Sequence, residues 1–408
     1  MSPLEDVSCE QVSHNRSIKS LGASLVAHMV RNLRFGSLRI VLPSGAVVDK
    51  VGPEPGPDAT LIVERWRAIR RIVTAGDIGF AEGYLDEDWT TPDLTALIRL
   101  AAKNGDALSL AIDGNRLVRL LNRTRHLLKA NTLRGSRRNV EAHYDLGNDF
   151  YEEWLDRTML YSSAIFDETT ATLEAAQQNR LNRIREKLAL RGGERILEIG
   201  CGWGALALDL ATSSDANVVG ITLSPSQLTW ANNVVAAAGK ITQVDLRLQD
   251  YRETDGEFDR IVSIEMFEAV GEAYWPSYFD MIKRCMKNGG RTVMQIISID
   301  QERFDAYRGS IDFIQKYVFP GGFLPSDEVL RAEISAAGLK LTEIEHFGKS
   351  YARTLREWRV RFHARWPAIA DQGFDERFKR LWNYYLSYCE AGFEEGSIDV
   401  GLYTIEHA

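Results

Sequence analysis

Residues 196–206 read ILEIGCGWGAL, an apolar run with one acid followed by glycines at 200, 202 and 204. Glycines spaced this way let the backbone come close to a ligand where side chains would clash. The neighbouring sequence gives the run its setting. RILEIG, NVVGITLS, DLRLQDY, DRIVSIE and RTVMQIIS read as strands with helix-like segments between them. That order predicts an α/β domain built on a mostly parallel sheet covered on both faces. The loop after its first strand then lies at the crevice where such sheets bind ligands.

Gly200, Gly202 and Ala205 also satisfy a GxGxxA dinucleotide fingerprint. A nicotinamide enzyme should carry an acid at the end of the second strand to hold the ribose. Thr222 stands there instead, and the acid, Glu198, precedes the glycines. An ExGxGxG run closing a first strand resembles motif I of the class I methyltransferases that use S-adenosylmethionine. Asp250, after the third strand, stands where such enzymes often meet adenine, and Lys287-Asn288-Gly289-Gly290 resembles their late-strand turn. Methyltransferases acting on nucleic-acid amines carry an Asn/Asp-Pro-Pro-aromatic loop after the fourth strand. This chain has Glu265-Met266-Phe267-Glu268-Ala269-Val270-Gly271, and an acid among apolar residues suits stabilising positive charge better than orienting a base amine. The net charge of −8 likewise argues against bulk nucleic-acid binding, so no nucleic-acid partner is expected.

A chain of 408 residues exceeds what one core normally organises. Residues 1–115 read as a small mixed accessory domain, with a hairpin in LRIVLPSGAVVDKV turning at Pro43-Ser44-Gly45 and a helix starting near Thr91-Pro92. Residues 116–140 form a basic linker; from Arg116 to Arg138 it carries eight Arg or Lys and no acid, with Leu117, Leu120, Leu121 and Leu128 at helical spacing. Such an amphipathic stretch suits an anionic lipid surface, or packs its leucines on a neighbour. Residues 141–408 form the catalytic domain, and its aromatic tail from Arg353 to Phe393 reads as helical core. The four cysteines, Cys9, Cys201, Cys285 and Cys389, are too far apart for zinc spacing and suggest a reducing compartment. No window is apolar enough to span a bilayer, and the polar N-terminus is not a signal peptide.

HYDLGNDFYEEWLD (143–156), MLYSSAIF (159–166), ILEIGCGWGAL, GITLSPSQL (220–228), MFEAVG (266–271) and FIQKYVFPGGFLPS (313–326) together resemble the cyclopropane-fatty-acyl-phospholipid synthase family, in order and spacing. The N-terminal domain and basic linker resemble its two-domain form. The resemblance implies a class I methyltransferase, Rossmann-like sheet preceded by a smaller mixed domain. It implies transfer of the S-adenosylmethionine methyl group to the cis double bond of an unsaturated phospholipid acyl chain, with ring closure to a cyclopropane. The enzyme would be cytoplasmic, held peripherally on the inner face of the membrane; a homodimer stays open.

The chemistry explains the residues. An alkene is a poor nucleophile and must be held in near-attack geometry. The carbocation left by methyl transfer requires a dry site, aromatic faces and a base for the final proton. In the family that base is a bound bicarbonate. By resemblance the anion is held by Ser163, Glu268, Gln295, Ile297 (through its backbone) and Tyr351. The cofactor is contacted by Tyr144, Tyr161, Ser162, Glu198, Gly200, Gly202, Gly204, Thr222, Leu223, Gln227 and Asp250. Tyr317 and Phe319 line the acyl site. Well-known bacterial members have Cys at the position of Ser163, His at that of Gln295, and Glu-His-Val-Gly where residues 268–271 read Glu-Ala-Val-Gly. Plant members share the Gln and the Glu-Ala-Val-Gly. The departures remove a titratable imidazole beside the base, so ring closure is affected more than methyl transfer. A methyl-branched unsaturated chain is the alternative product, and a small-molecule methyltransferase or a lipid-binding protein without turnover are the alternative functions.

Overall fold

The computed structural model describes residues 22–105 and 146–408; Tyr144 and the basic linker lie outside the described residues. In the first segment, strands β1 (Phe35–Val41), β2 (Val47–Val51), β3 (Glu54–Val63) and β4 (Trp89–Thr90) form a sheet in the order β2-β1-β3-β4. β1 and β2 make the expected antiparallel hairpin, closed by the Gly45 amide donating to the Leu42 carbonyl at 2.8 Å. The helix expected near Thr91-Pro92 runs from Leu94 to Lys103, and the Asp93 carboxylate caps it by accepting the Ala96 amide at 2.9 Å.

The chain divides into two compact units. One gathers the described residues up to 105 with Glu376–Glu395; the other holds the described residues from 146 to Asp375 and Gly396–Ala408. The helix Glu376–Glu394 therefore packs with the first unit, although its position in the chain placed it in a catalytic domain over 141–408. Its ties are specific. Arg380 lies over the Tyr84 ring at 3.9 Å and its Nε donates to the Tyr84 carbonyl at 2.6 Å. Thr95 donates to Glu390 at 3.2 Å, and just past the helix end Glu395 pairs with Arg99 at 2.7 Å.

The second unit is built on a seven-stranded sheet. β5 (Arg195–Ile199), β6 (Asn217–Thr222), β7 (Val244–Leu248), β8 (Phe258–Ile264) and β9 (Met286–Ile299) are the five strands read from the sequence, and all are parallel. β10 (Leu339–His346) and β11 (Ile398–His407) complete the order β10-β11-β9-β8-β5-β6-β7, with β11 antiparallel to both its neighbours. Side chains alternate between two apolar layers as the strand period of two dictates. Leu197, Ile199, Val219, Ile221, Ile261, Met294 and Ile296 face one layer with the helix Trp275–Cys285. Ile196, Val218, Val262 and Val293 face the other with the helices Leu173–Leu188 and Ala205–Ser213. With both faces covered, the C-terminal strand ends on either side of β5 are where backbone and polar groups converge.

Candidate active site

The turn after β5 takes the shape its glycines permit. Gly200, Gly202 and Gly204 have φ of 81°, 52° and 85°, a left-handed region costly for other residues. A Cβ at Gly200 would lie 2.9 Å from Met266 Cγ, whereas one at Gly202 would meet nothing within 4 Å. Gly202 thus borders an open cradle. Glu198, at the end of β5, is buried, and its Oε2 has no partner among the described residues. Burial raises its carboxyl to about 8, opposed by Arg180 and the Ala207 amide. An orphaned carboxylate beside an open glycine turn fits a ribose with hydroxyls to donate, so the residues present fit S-adenosylmethionine. Thr222 and Gln227 are buried at the end of β6, with Thr222 Oγ1 donating to Gln227 Oε1 at 3.1 Å, and Leu223 is half-buried beside them. Asp250 is buried but already paired: its carboxylate takes Arg252 Nε at 2.8 Å and the Arg252 amide at 3.0 Å.

At Gly202 a valine would place branched carbon atoms in the cradle and strain the turn by about 1–2 kcal/mol. Gly202→Val is expected to weaken S-adenosylmethionine binding tenfold or more, about 1.4 kcal/mol, with a smaller loss of melting temperature. Calorimetric titration checks it.

The residues implied for the anion come together, but not around an open ion site. At the end of β8, Glu265 accepts the Ser163 amide at 2.9 Å and Gln295 Nε2 at 2.6 Å on Oε1, and the Tyr351 hydroxyl at 2.6 Å on Oε2. Its own amide donates to the Gln295 carbonyl at 2.8 Å. The Ser163 hydroxyl instead donates to the Ala164 carbonyl, so this residue serves the site through its backbone. Ile297 also acts through its backbone, donating to Glu268 Oε1 at 2.6 Å. Glu268 Oε2 has no partner among the described residues. Both carboxyls lie deep in the fold yet keep some accessible surface. Burial raises both; Glu268 rises to about 8 with Glu265 adding repulsion, while Tyr351, Ser163, Arg180 and Gln295 pull Glu265 back.

Two members of this cluster have no role in the sequence reading. Glu265 stands in the quoted loop, and the signal for it was a second acid three residues before Glu268. Arg180, on the helix Leu173–Leu188, is the one basic side chain fully buried among the described residues. It donates to Ser162 Oγ at 2.5 Å and lies in the field of Glu265, Asp156, Tyr351 and Glu198.

Aromatic rings adjoin this polar centre. Tyr161 lies 5.3 Å from Trp358 and 5.6 Å from Trp154, and Trp358 lies 6.1 Å from Tyr351. Trp358, read from sequence as core, is buried but continuous with this wall. Tyr317 and Phe319 are half-buried, on and just after the short helix Phe313–Tyr317. Their loop reaches the site through the Phe323 amide, which donates to the Glu268 carbonyl at 2.8 Å.

The family model for mycolic acid cyclopropane synthetase matches residues 131–402. A tuberculostearic acid methyltransferase of Mycobacterium tuberculosis is 37% identical over 389 residues, covering 90% of this chain and 87% of that one. A cyclopropane-fatty-acyl-phospholipid synthase of Escherichia coli is 36% identical, covering 81% and 83%. The crystal structure of the mycolic acid cyclopropane synthase CmaA1 complexed with SAH and CTAB matches with a TM-score of 0.62 and 32% identity, over 66% of this chain and 97% of that one. With the glycine turn, the sheet order and these similarities in agreement, the chain belongs to the mycolic acid cyclopropane synthetase family of S-adenosylmethionine-dependent methyltransferases.

Proposed function

We propose that the protein methylates the cis double bond of an unsaturated phospholipid acyl chain and closes a cyclopropane ring. The observation that carries this reading is the joining of buried carboxylates to an aromatic wall at the C-terminal ends of β5, β8 and β9. That combination suits a cation that must be stabilised without being attacked. When bound, S-adenosylmethionine supplies an electrophilic methyl group on a sulfonium. The glycine turn, Glu198, Thr222, Leu223 and Gln227 hold it, with Asp250, Tyr161 and Ser162 alongside. Glu268, fixed by the Ile297 amide, keeps its second oxygen for positive charge. Tyr161, Trp154 and Trp358 exclude water. Tyr317 and Phe319 line the acyl path.

Drawing ten methylenes through water would cost roughly 8 kcal/mol, so the enzyme takes its substrate at the bilayer. No helix among the described residues is long and apolar enough to cross a membrane. We assign docking to the basic stretch 116–138, with residues 1–115 as an accessory domain and 141–408 carrying catalysis. Reversing Arg123, Arg125 and Lys129 to glutamate is expected to cut binding to anionic vesicles a hundredfold or more, since each basic residue contributes about 1 kcal/mol there. Affinity for S-adenosylmethionine should not change, and unaltered vesicle sedimentation would remove the assignment.

The 37% identity to a tuberculostearic acid methyltransferase supports a second product, a methyl-branched chain. One assay decides. The protein is mixed with S-adenosylmethionine and vesicles of a monounsaturated phospholipid, and the fatty acids are analysed by mass and NMR. A chain one methylene heavier bearing cyclopropane protons is the expected result. A vinyl or methyl-branch signal would select the second product. Activity on a soluble acceptor without lipid would overturn both.

A further inference from the structure

We infer that Glu265 is the built-in proton acceptor of the reaction, its own carboxylate standing where the family resemblance implies a bound bicarbonate. The inference rests on the lipid-methylation reading and deepens it. Its first support is the donor set. The Ser163 amide, the Gln295 side chain and the Tyr351 hydroxyl are the groups implied for the ion, and all three already donate to Glu265 at 2.6–2.9 Å. A bicarbonate added here would lose those donors and stand against two carboxylates, with Arg180 as the one fully buried cation among the described residues. The ion does not fit, and no step is routed through it.

The second support is the backbone. Glu265 has a φ of 49°, one of five non-glycine residues in the left-handed region among the described residues. A non-glycine residue there costs on the order of 1 kcal/mol, and glycine would avoid it. The strained conformation directs the side chain back among the three donors at the strand end. The third support is capacity. A carboxylate offers about four lone-pair sites. Three are taken, two on Oε1 and one on Oε2, which leaves a site on Oε2 for a proton.

The step balances without a further reagent. After methyl transfer, one former alkene carbon bears the new methyl and its neighbour bears the positive charge. A C–H bond of that methyl breaks, its electron pair forms the C–C bond that closes the ring, and the proton passes to Glu265 Oε2. The carboxylic acid then releases its proton to solvent before the next turnover. If the product is branched instead, the same oxygen takes the proton lost from the chain.

The test uses the full chain in carbon dioxide-free buffer, with and without added bicarbonate. Isotope-labelled bicarbonate followed by NMR is expected to show no binding to the wild type and one bound ion per chain in Glu265→Gly, which also relieves the left-handed strain and so should fold. Product formation on monounsaturated phospholipid vesicles is expected to be indifferent to bicarbonate in the wild type. It should fall about 10²–10⁴-fold in Glu265→Gln, the usual scale for losing a general base. Glu265→Gly should show the same loss and recover severalfold with millimolar bicarbonate. Retained S-adenosylmethionine binding confirms that each variant is folded. Wild-type bicarbonate binding, or a Glu265→Gln enzyme at full rate, would overturn the inference. A wild type that makes no heavier lipid but still refuses bicarbonate, while Glu265→Gly takes it up, would overturn the lipid reading and keep Glu265 as the occupant of the ion site.

Discussion

Arg180→Met is expected to lower the melting temperature by roughly 10 °C, the equivalent of about 3–5 kcal/mol for stripping one partner from a buried charge cluster. Arg180 is 1% exposed, and Glu265, Asp156 and Glu198 all lie within its field. Methionine fills similar volume, so the loss reports charge more than packing. Without the guanidinium, the buried carboxyls must either stay ionised unpaired or take up protons. The deficit should therefore shrink as pH falls from 8 towards 5 and the carboxyls are neutralised. Thermal melts of both proteins across that range check this. An equal deficit at every pH would assign Arg180 a packing role only, and no deficit would remove it from the cluster.

Local pattern made much of the fold legible. β5, β6 and the later parts of β8 and β9 are apolar runs, β7 alternates apolar and charged residues, and the glycine turn follows from its composition. β11 inserts antiparallel between β9 and β10 by pairing with β9 about a hundred residues away in sequence, which no local period encodes. The terminal helix reads correctly as helical but joins the first unit through Arg380 on Tyr84 and Glu390 on Thr95. Those partners are nearly three hundred residues apart, beyond the reach of periodicity.

The site divides in a similar way. Ser163, Gln295 and Tyr351 donate to Glu265 and Ile297 to Glu268, so the residues that the family resemblance named lie together. Ile297 gives its amide, as implied, but the atom Ser163 contributes was hidden: it too gives an amide, so the exchange of Cys for Ser alters a side chain that, among the described residues, bonds to the Ala164 carbonyl. Asp250 is engaged by Arg252, two residues on, and is less free for adenine than its position implied. Glu265 went unread because its role depends on a positive φ, a property of the backbone that residue type alone does not announce.

Glu268→Gln is expected to separate activity from stability. Its carboxyl lies at about 8 against an ordinary 4.5, chiefly through burial and then through the charge of Glu265. Between those values the folded protein holds a proton that the unfolded chain releases. Stability therefore falls as pH rises through the window, by up to about 1.4 kcal/mol per pH unit, and levels off above the folded value. Glutamine carries no such proton, so the variant should match the wild type near pH 5 and exceed it in melting temperature at pH 8.5. Some slope remains, because Glu265 is raised too and the two carboxyls titrate as a pair. Product formation should move the other way. A cation bound beside it favours the ionised carboxyl, whose unpartnered Oε2 is then the oxygen offered to positive charge, and losing that electrostatic group costs about 10²–10³-fold in rate. Melting curves at the two pH values, paired with turnover on lipid vesicles, give both readings from one variant. A melting profile parallel to the wild type would mean that the carboxyl is already ionised in the resting fold. Unchanged turnover would mean that Glu268 does not face the cation, and the electrostatic role would pass to Glu265 alone.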